Sequence, residues 1–389
     1  MNSTRNLIKS LRFLSIINCY SWKKMTDNLW KKVARNIANA GVFPVPISDS
    51  LIELLQELIT EEQAEFLLIF KKPSNTLEQI KELTDMDEGS ILKMLDTLMY
   101  NGIIIGTKSR STGKMVYKLM GPFPGIFEYT NLRGETDEKH VRIARLFQKL
   151  DSERKKLDEA GLKAIMSVFK NLPPTDRTIP VETQVEVGTE EVMPTEDIKK
   201  YVEQYDDIAV AHCYCRHHKD LINDPCKLGA SKNNCFLFDK SAVFAIEKDF
   251  GHRVSKEEAM KIFREAEDQG LVHKVFHVRS DVNRGIEAIC NCCKCCCGII
   301  GMYRGGISPL HTMSSYLAEV DEELCVGCGT CLEMCPMETI YAENNKAIVD
   351  PEKCIGCGVC AHHCPEEAIH LKRTGPRDVL IPPLITPSD

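Results

Sequence analysis

The sequence predicts an α+β chain of several domains, and three observations carry that prediction. Helical apolar spacing and short β-branched runs both recur along 389 residues, a length that allows two or three separate cores. Eighteen of the nineteen cysteines lie between Cys213 and Cys364, so the first 212 residues hold only Cys19. Within the cysteine-rich half, two four-cysteine runs repeat at an interval of 29 residues and mark off a module of their own. The expected organisation is an N-terminal domain of helices and a hairpin over 25–125 and a helix with a linker over 126–194. A cysteine-rich α+β domain over 195–310 and the repeat module over 311–389 follow.

Residues 1–24 are basic, with Arg5, Lys9, Arg12, Lys23 and Lys24 and no acid, while Met25 opens a more ordinary sequence. This stretch is expected to lie outside the fold, either as an organellar transit peptide or as an over-long start. Residues 51–70 carry apolar side chains at helical spacing, with Glu and Gln between them. Residues 76–84 read as a short amphipathic helix with Leu77, Ile80 and Leu83 on one face. After a turn at 85–87, residues 88–100 predict a second helix with a buried stripe of Ile91, Leu92, Leu95, Leu98 and Met99. Asn101-Gly102 stops it. Residues 103–105 and 115–119 then read as strands around the basic turn 108–114.

Helix, turn, helix and two-stranded wing in this order resemble a winged-helix domain. Winged helices bind DNA or dock proteins, and the fold alone does not decide between them. Charge argues against DNA. Residues 75–120 hold six acids and six bases, and the second helix offers Glu88, Lys93 and Asp96 to a phosphate backbone. Only Lys108, Arg110 and Lys114 on the wing form a favourable cluster.

Residues 137–170 are charged and helical in period, with Val141, Ile143, Ala144, Phe147 and Leu150 as packing positions. Pro173, Pro174, Pro180 and Pro194 break the pattern, so 171–194 is expected to be a linker or irregular arm. Thr195 is placed to cap a helix over 195–204, with Glu196 and Asp197 complementing its positive end. A short strand over 207–213 follows. Ser255-Lys-Glu-Glu258 is a capping box that opens a helix closed by Gly270, and 271–276 is then a strand.

The two repeats read Cys325-Val-Gly-Cys328-Gly-Thr-Cys331-Leu-Glu-Met-Cys335-Pro336 and Cys354-Ile-Gly-Cys357-Gly-Val-Cys360-Ala-His-His-Cys364-Pro365. Such spacing lets one loop present three thiolates to a cubane face while the fourth cysteine leads away. Over residues 319–374 the chain resembles the bacterial-type ferredoxins that carry two [4Fe-4S] clusters. Carried over by position, the resemblance implies Cys325, Cys328, Cys331 and Cys364 as ligands of one cluster. Cys354, Cys357, Cys360 and Cys335 would hold the other. Gly327, Gly329, Gly356 and Gly358 suit backbone that must approach a cluster closely. A pair of zinc knuckles is the alternative, but knuckles pair two C-x2-C halves and do not repeat a four-cysteine run ending in Cys-Pro.

Ten further cysteines fall between Cys213 and Cys297, too many to leave as unused thiols exposed to oxidation and stray metal. Cys213-Tyr-Cys215-Arg216, the helix ending Gly270-Leu-Val-His273, and Ile289-Cys-Asn-Cys-Cys-Lys-Cys-Cys-Cys297 resemble an iron–sulfur domain placed ahead of dicluster ferredoxin modules in proteins of anaerobic microbes. Three uses compete: a third or fourth iron–sulfur cluster, a structural zinc site, or a dithiol or persulfide redox site. Cys213, Cys215, Cys290 and Cys292 are the least arbitrary ligand set, because each Cys-x-Cys lies near a possible strand end. Arg216 is positioned to offset thiolate charge. His212, His217 and His218 read either as ligands or donors to sulfur, or as solvated or backbone-bonded side chains. His362 and His363 read as surface residues that modulate local polarity.

Dense Cys-x2-Cys spacing without a secretory signal argues for metal thiolates in a reducing, cytoplasmic and anaerobic setting rather than for disulfides. No stretch reaches the roughly 20 apolar residues of a membrane span, so a soluble protein is expected. The net charge of −7 comes from residues 319–373, where eleven acids face four bases. An acidic module would attract a redox partner with a basic docking face. No G-x-G-x-x-G follows a strand, and neither a Walker A motif nor a nucleophile elbow occurs, so flavin, nicotinamide and acyl-transfer chemistry lack support. The expected function is single-electron transfer through two [4Fe-4S] clusters, as a carrier or a redox-enzyme subunit that extends to a further site among residues 213–297. The alternative is a redox- or iron-sensing winged-helix regulator.

Overall fold

Thr60 cuts the long apolar run near the N-terminus into two helices. Its hydroxyl accepts from the Gln63 amide at 3.2 Å while the Gln63 side chain accepts from the Thr60 amide at 2.9 Å, so residues 51–70 are not one helix. The computed structural model describes residues 28–41, 45–109, 111–155, 176–184, 197–277, 285–304, 311–377 and 379–380. The basic stretch 1–24 and Thr195 lie outside these described residues. The chain folds as two units, residues 1–127 with 142–155 and residues 128–141 with 156–389.

In the first unit, helices α1 (28–40), α2 (Asp49–Leu58) and α3 (Glu61–Leu67) precede β1 (Ser74–Thr76) and α4 (Leu77–Lys81). Then come α5 (Glu88–Tyr100), β2 (Ile104–Lys108) and β3 (Met115–Leu119), with β3 central in an antiparallel three-stranded sheet. Asp87 caps α5, and Ile91, Leu95 and Leu98 form its buried stripe. Leu92, expected on that stripe, is 41% exposed. It lies one residue, about 100°, around the helix from Ile91. The solvent face of α5 carries Glu88, Lys93 and Asp96, and Glu88 pairs with Lys81. α6 (Ile126–Leu132) and α7 (Glu138–Lys155) follow, and α7 buries Ile143, Ala144, Phe147 and Leu150.

The second unit is built on an eight-stranded mixed sheet of order β15-β10-β4-β8-β9-β6-β5-β7. These strands are Val379–Leu380, His311–Thr312, Asp176–Ile179, Val272–His277, Ile286–Cys292, Asn233–Phe238, Ile208–His212 and His252–Arg253. β4 falls in the stretch expected as linker. Pro180 ends it but does not prevent its Arg-Thr-Ile core from pairing with β8.

Register gives the sheet two unlike faces. Val275, Ile289, Phe236 and Val210 stand directly opposite one another across β8, β9, β6 and β5. They bury against α8 (Ile198–Gln204) and α11 (Lys256–Asp268) through Tyr201, Val202, Ala259 and Phe263. Phe236 stacks on Phe263 with centroids 4.2 Å apart. The neighbouring row points the other way: Thr178, Lys274, Cys290, Cys235 and Ala211. One face is therefore an apolar core, and the other presents thiols and a lysine. The expected Ser255–Glu258 capping box opens α11, and Asp197, not Thr195, caps α8.

Two further helices bear on the thiol face, α9 (Tyr214–Leu221) and α10 (Asp239–Glu247). The chain then runs through α12 (Gly298–Arg304) to the repeat module. There β11 (Tyr316–Val320) pairs with β14 (Ile369–Arg373), and β12 (Ile340–Glu343) with β13 (Lys346–Val349). Helices α13 (Thr330–Met334) and α14 (Val359–His362) carry the third cysteine of each loop, Cys331 and Cys360. The 29-residue repeat is visible in the hydrogen bonds. Asp321 N–H donates to the Ala368 carbonyl, and Asp350 N–H to the Thr339 carbonyl, each at 2.8 Å. Each repeat is tied to the tail of the other. Among the described residues no helix is long and apolar enough to cross a membrane.

Lys274 and Asp176 form a fully buried ion pair on the thiol side of the sheet, with both carboxylate oxygens 3.2 Å from Nζ. Lys274→Met should cost about 3–5 kcal/mol, because it strands a buried carboxylate. Adding Asp176→Leu should recover most of that loss in a denaturant titration. A double variant as unstable as the single one would show that the lysine matters for something other than its partner.

Candidate metal centres

The cysteine loops of the module owe their shape to glycine. Gly327 and Gly356 have φ of 71° and 67°. A Cβ at Gly327 would sit 2.2 Å from the Asn345 carbonyl oxygen, and one at Gly356 equally close to that of Tyr316. Each loop therefore lies flat against a neighbouring strand or turn with its thiols turned inward. Cys325, Cys328, Cys331 and Cys364 line one cavity, together with Val326, Lys346 and Ile369. Cys335, Cys354, Cys357 and Cys360 line a second, with Ala318, Met337 and Ile355. The fourth cysteine of each run thus reaches the cavity built by the other run. Amides face these sulfurs: Ala368 N–H lies 3.3 Å from Cys364 Sγ and Thr339 N–H 3.5 Å from Cys335 Sγ.

The two cavities differ in exposure. Cys328 is exposed at the first, where Val326 is 62% accessible. All four thiols of the second are buried. Burial pushes Cys357 up to about 12 and raises Cys354 and Cys360 as well. The Thr330 hydroxyl and amide lower Cys328. Metal entering the second cavity must therefore displace protons from buried thiols. Four thiols per cavity, amide donors and flat glycine loops fit an iron–sulfur cofactor.

The second cavity also abuts the central sheet domain. Val181 N–H donates to the Cys357 carbonyl at 3.0 Å. His362, beside the loop, contacts Asp268 at 3.0 Å and Thr183 at 3.2 Å, and His363 Nε2 donates to the Glu267 carbonyl at 3.1 Å. These histidines are docking contacts rather than free surface residues. Their partners come from the end of α11 and from the turn at Glu182–Gln184, a meeting that only tertiary folding reveals.

The ten remaining cysteines separate into two groups. Cys215 interacts with Cys297, Cys297 with Cys292, Cys292 with Cys290, and Cys290 with Cys235. Cys297 is held well below the usual thiol range, first by Cys215 and then by Cys292. Cys213 caps α9 without a side-chain hydrogen bond, and burial raises it, with Cys293 and Cys297 adding to the rise and Arg216 opposing it. Tyr214 Oη stands 3.7 Å from Cys290 Sγ. The predicted quartet of Cys213, Cys215, Cys290 and Cys292 thus lies in one neighbourhood, with Cys235 and Cys297 added. Strand pairing explains Cys235, which stands directly opposite Cys290. No local signal marks Cys297 within a run of six cysteines. The second group is Cys226, Cys293, Cys295 and Cys296, which the sequence reading did not single out.

Arg216 is buried beside both groups. It donates to the Asn291 carbonyl at 3.0 Å and to Asn234 Oδ1, and it contacts Cys293. Burial alone would lower its pKa, but the nearby Cys213 and Cys293 thiolates leave it raised. Asn291 in turn meets His273 at 2.6 Å, and His273 Nε2 faces Glu267 Oε1 at 3.1 Å. His217 Nε2 donates to the Glu135 carbonyl at 2.9 Å. Burial lowers both His212 and His217.

Residues 317–373 match the family described as the 4Fe-4S dicluster domain. This segment is an iron–sulfur, ferredoxin-like module. No curated protein and no solved structure matches the chain.

Gly356→Ala should empty the second cavity, since its Cβ would collide with Tyr316 O and Ser314 Oγ at 2.2 Å. Bound iron and acid-labile sulfide should each fall by about half. Gly301→Ala, whose Cβ meets nothing within 4 Å, serves as the control and should leave both unchanged.

Proposed function

We propose that the chain is an iron–sulfur electron-transfer protein or redox-enzyme subunit with an exposed and an enclosed cluster site. Cys325, Cys328, Cys331 and Cys364 would hold one [4Fe-4S] cluster, and Cys335, Cys354, Cys357 and Cys360 the other. When bound, such clusters supply one-electron chemistry between 2+ and 1+ states. The asymmetry between the two cavities supports this direction of use. The Cys328 edge faces solvent on the acidic module, where a basic partner would dock. The other cavity excludes water behind Ile355 and Val359 and presses on the sheet domain through Val181 and His363.

The single observation that carries the reading is the place of Lys274. It stands directly opposite Cys290 on the thiol row and opposite Thr178 of β4, and the chain runs on from β4 to Val181, whose N–H donates to the Cys357 carbonyl at 3.0 Å. The enclosed site is therefore next to the central thiols, and the exposed site lies on the side open to partners. The group around Cys215, Cys292 and Cys297 is the terminus of that order, as a further cluster or as a dithiol. In the N-terminal unit, two helices and a hairpin around a central β3 support a winged-helix-like reading, with the charge balance of α5 favouring a protein partner over DNA.

The test is electron paramagnetic resonance of anaerobically purified protein reduced with dithionite. Cys335→Ala should abolish the signal of the site built by the second loop, 354–360, and spare that of its own loop. Loss of the first site's signal instead would overturn the crossed assignment. A protein free of iron and sulfide would overturn the function.

A further inference from the structure

Three sulfur contacts set the second cysteine group apart from every cluster site discussed above. Cys226 Sγ lies 3.6 Å from Cys295 Sγ, which lies 3.7 Å from Cys296 Sγ and 3.8 Å from Cys293 Sγ. All four sulfurs fall within 4.8 Å of one another. A tetrahedral ion with metal–sulfur bonds of about 2.3 Å has a sulfur–sulfur edge of about 3.8 Å. A cubane needs more room, because each cysteine binds a different iron at an outer corner of the cube. We propose that Cys226, Cys293, Cys295 and Cys296 bind a single divalent ion, zinc or ferrous iron, with four thiolates and no inorganic sulfide.

The surroundings fit a charged tetrathiolate. Cys296 N–H donates to Cys293 Sγ at 3.4 Å, and the Leu228 and Ala230 amides donate to Cys226. Arg216 bonds Cys293 from the other side. Four thiolates around a divalent cation leave two negative charges, and the amides and one guanidinium are placed to offset them. Ala230, Ala266 and Leu271 pack around the group, which buries Cys293 and Cys296 and leaves Cys226 and Cys295 half-buried. Four protein ligands leave no open position for water or substrate, so the ion is structural rather than catalytic.

The site also has a mechanical consequence. Cys226 lies in the connection between α9 and β6, and the other three cysteines follow β9. The ion would staple these two segments together beside Lys294, whose ammonium donates to the Glu333 carbonyl of α13. Arg304 joins the same surface, donating to the Lys294 carbonyl at 2.5 Å and pairing with Glu338. The staple thus holds the ground on which the iron–sulfur module docks.

The experiment is metal and sulfide analysis of the full chain, purified anaerobically from medium containing iron and zinc, against Cys226→Ser. The variant should lose one zinc per chain and keep its iron and sulfide. Loss of one iron without sulfide supports the same site with iron as its occupant. Loss of several irons with matching sulfide overturns the proposal, as does loss of no metal. If Cys226→Ser does not fold, X-ray absorption of the wild-type protein decides. Zinc or sulfide-free iron with four sulfur neighbours at about 2.3 Å supports the site; absence of any such metal refutes it.

Discussion

Buried sulfur charge is the constraint on which the second unit depends. Ten thiols gather at one side of the sheet domain, and four more are enclosed in the neighbouring cavity of the module. Thiolates in that environment are tolerable only with fixed positive charge or a metal at hand. The chain supplies Arg216 and Lys274, both fully buried, one from a helix that starts at Cys213 and one from the middle of β8. Arg216 serves the Cys213 and Cys293 side. Lys274 stands opposite Cys290 on the thiol row, and Asp176 holds its ammonium. The eight-stranded sheet is, in effect, a scaffold for two cations among sulfurs.

That arrangement explains the docking of the module. A free ferredoxin has no need to bury one of its two cavities, yet here Val181, Gln184 and the tip of α11 cover the loop around Gly358. The cover excludes water from one cavity while the other keeps Cys328 exposed. Burial and amide bonding to sulfur are levers that set cluster potential, so two similar loops acquire different surroundings from docking alone. Polar residues complete the seam. Glu267 receives the Glu182 amide at 2.7 Å and His273 on its carboxylate, while its carbonyl takes His363. One residue at the end of α11 ties the module, the 3₁₀ turn at Glu182–Gln184 and the buried Arg216 network into one polar chain.

Much of this was legible where the signal is local. The Ser255 capping box, the stripe of α5 and the 29-residue repeat each depend on residues a few positions apart, and each appears in the structure. Signals were missed where a distant partner decides. One local signal was also missed: Thr60 and Gln63, three residues apart, form a capping box that opens α3 and divides the apolar run. β4 exists because β8 and β10 flank it, and nothing between its neighbouring prolines announces that. Among the thiols, Cys290 and Cys292 were legible because a strand places every second residue on one face. Cys226 was not, since its partners are about seventy residues away, in the loop after β9.

The run from Cys290 to Cys297 makes sense once its two geometries are separated. Its strand part, Cys290 and Cys292, keeps the period of two and faces Lys274 and Cys235. Its turn part, Cys293, Cys295 and Cys296, folds back on itself so tightly that sulfurs come within 3.8 Å. Cys297 then re-emerges ahead of α12 to meet Cys215 and Cys292. A single cofactor cannot use all of these, because sulfurs packed at the edge length of one tetrahedron cannot also span a cube. Two kinds of centre follow from one short peptide. The tight turn suits the proposed ion, which only holds chain segments together, and the strand sulfurs, with Lys274 opposite Cys290, form a separate group.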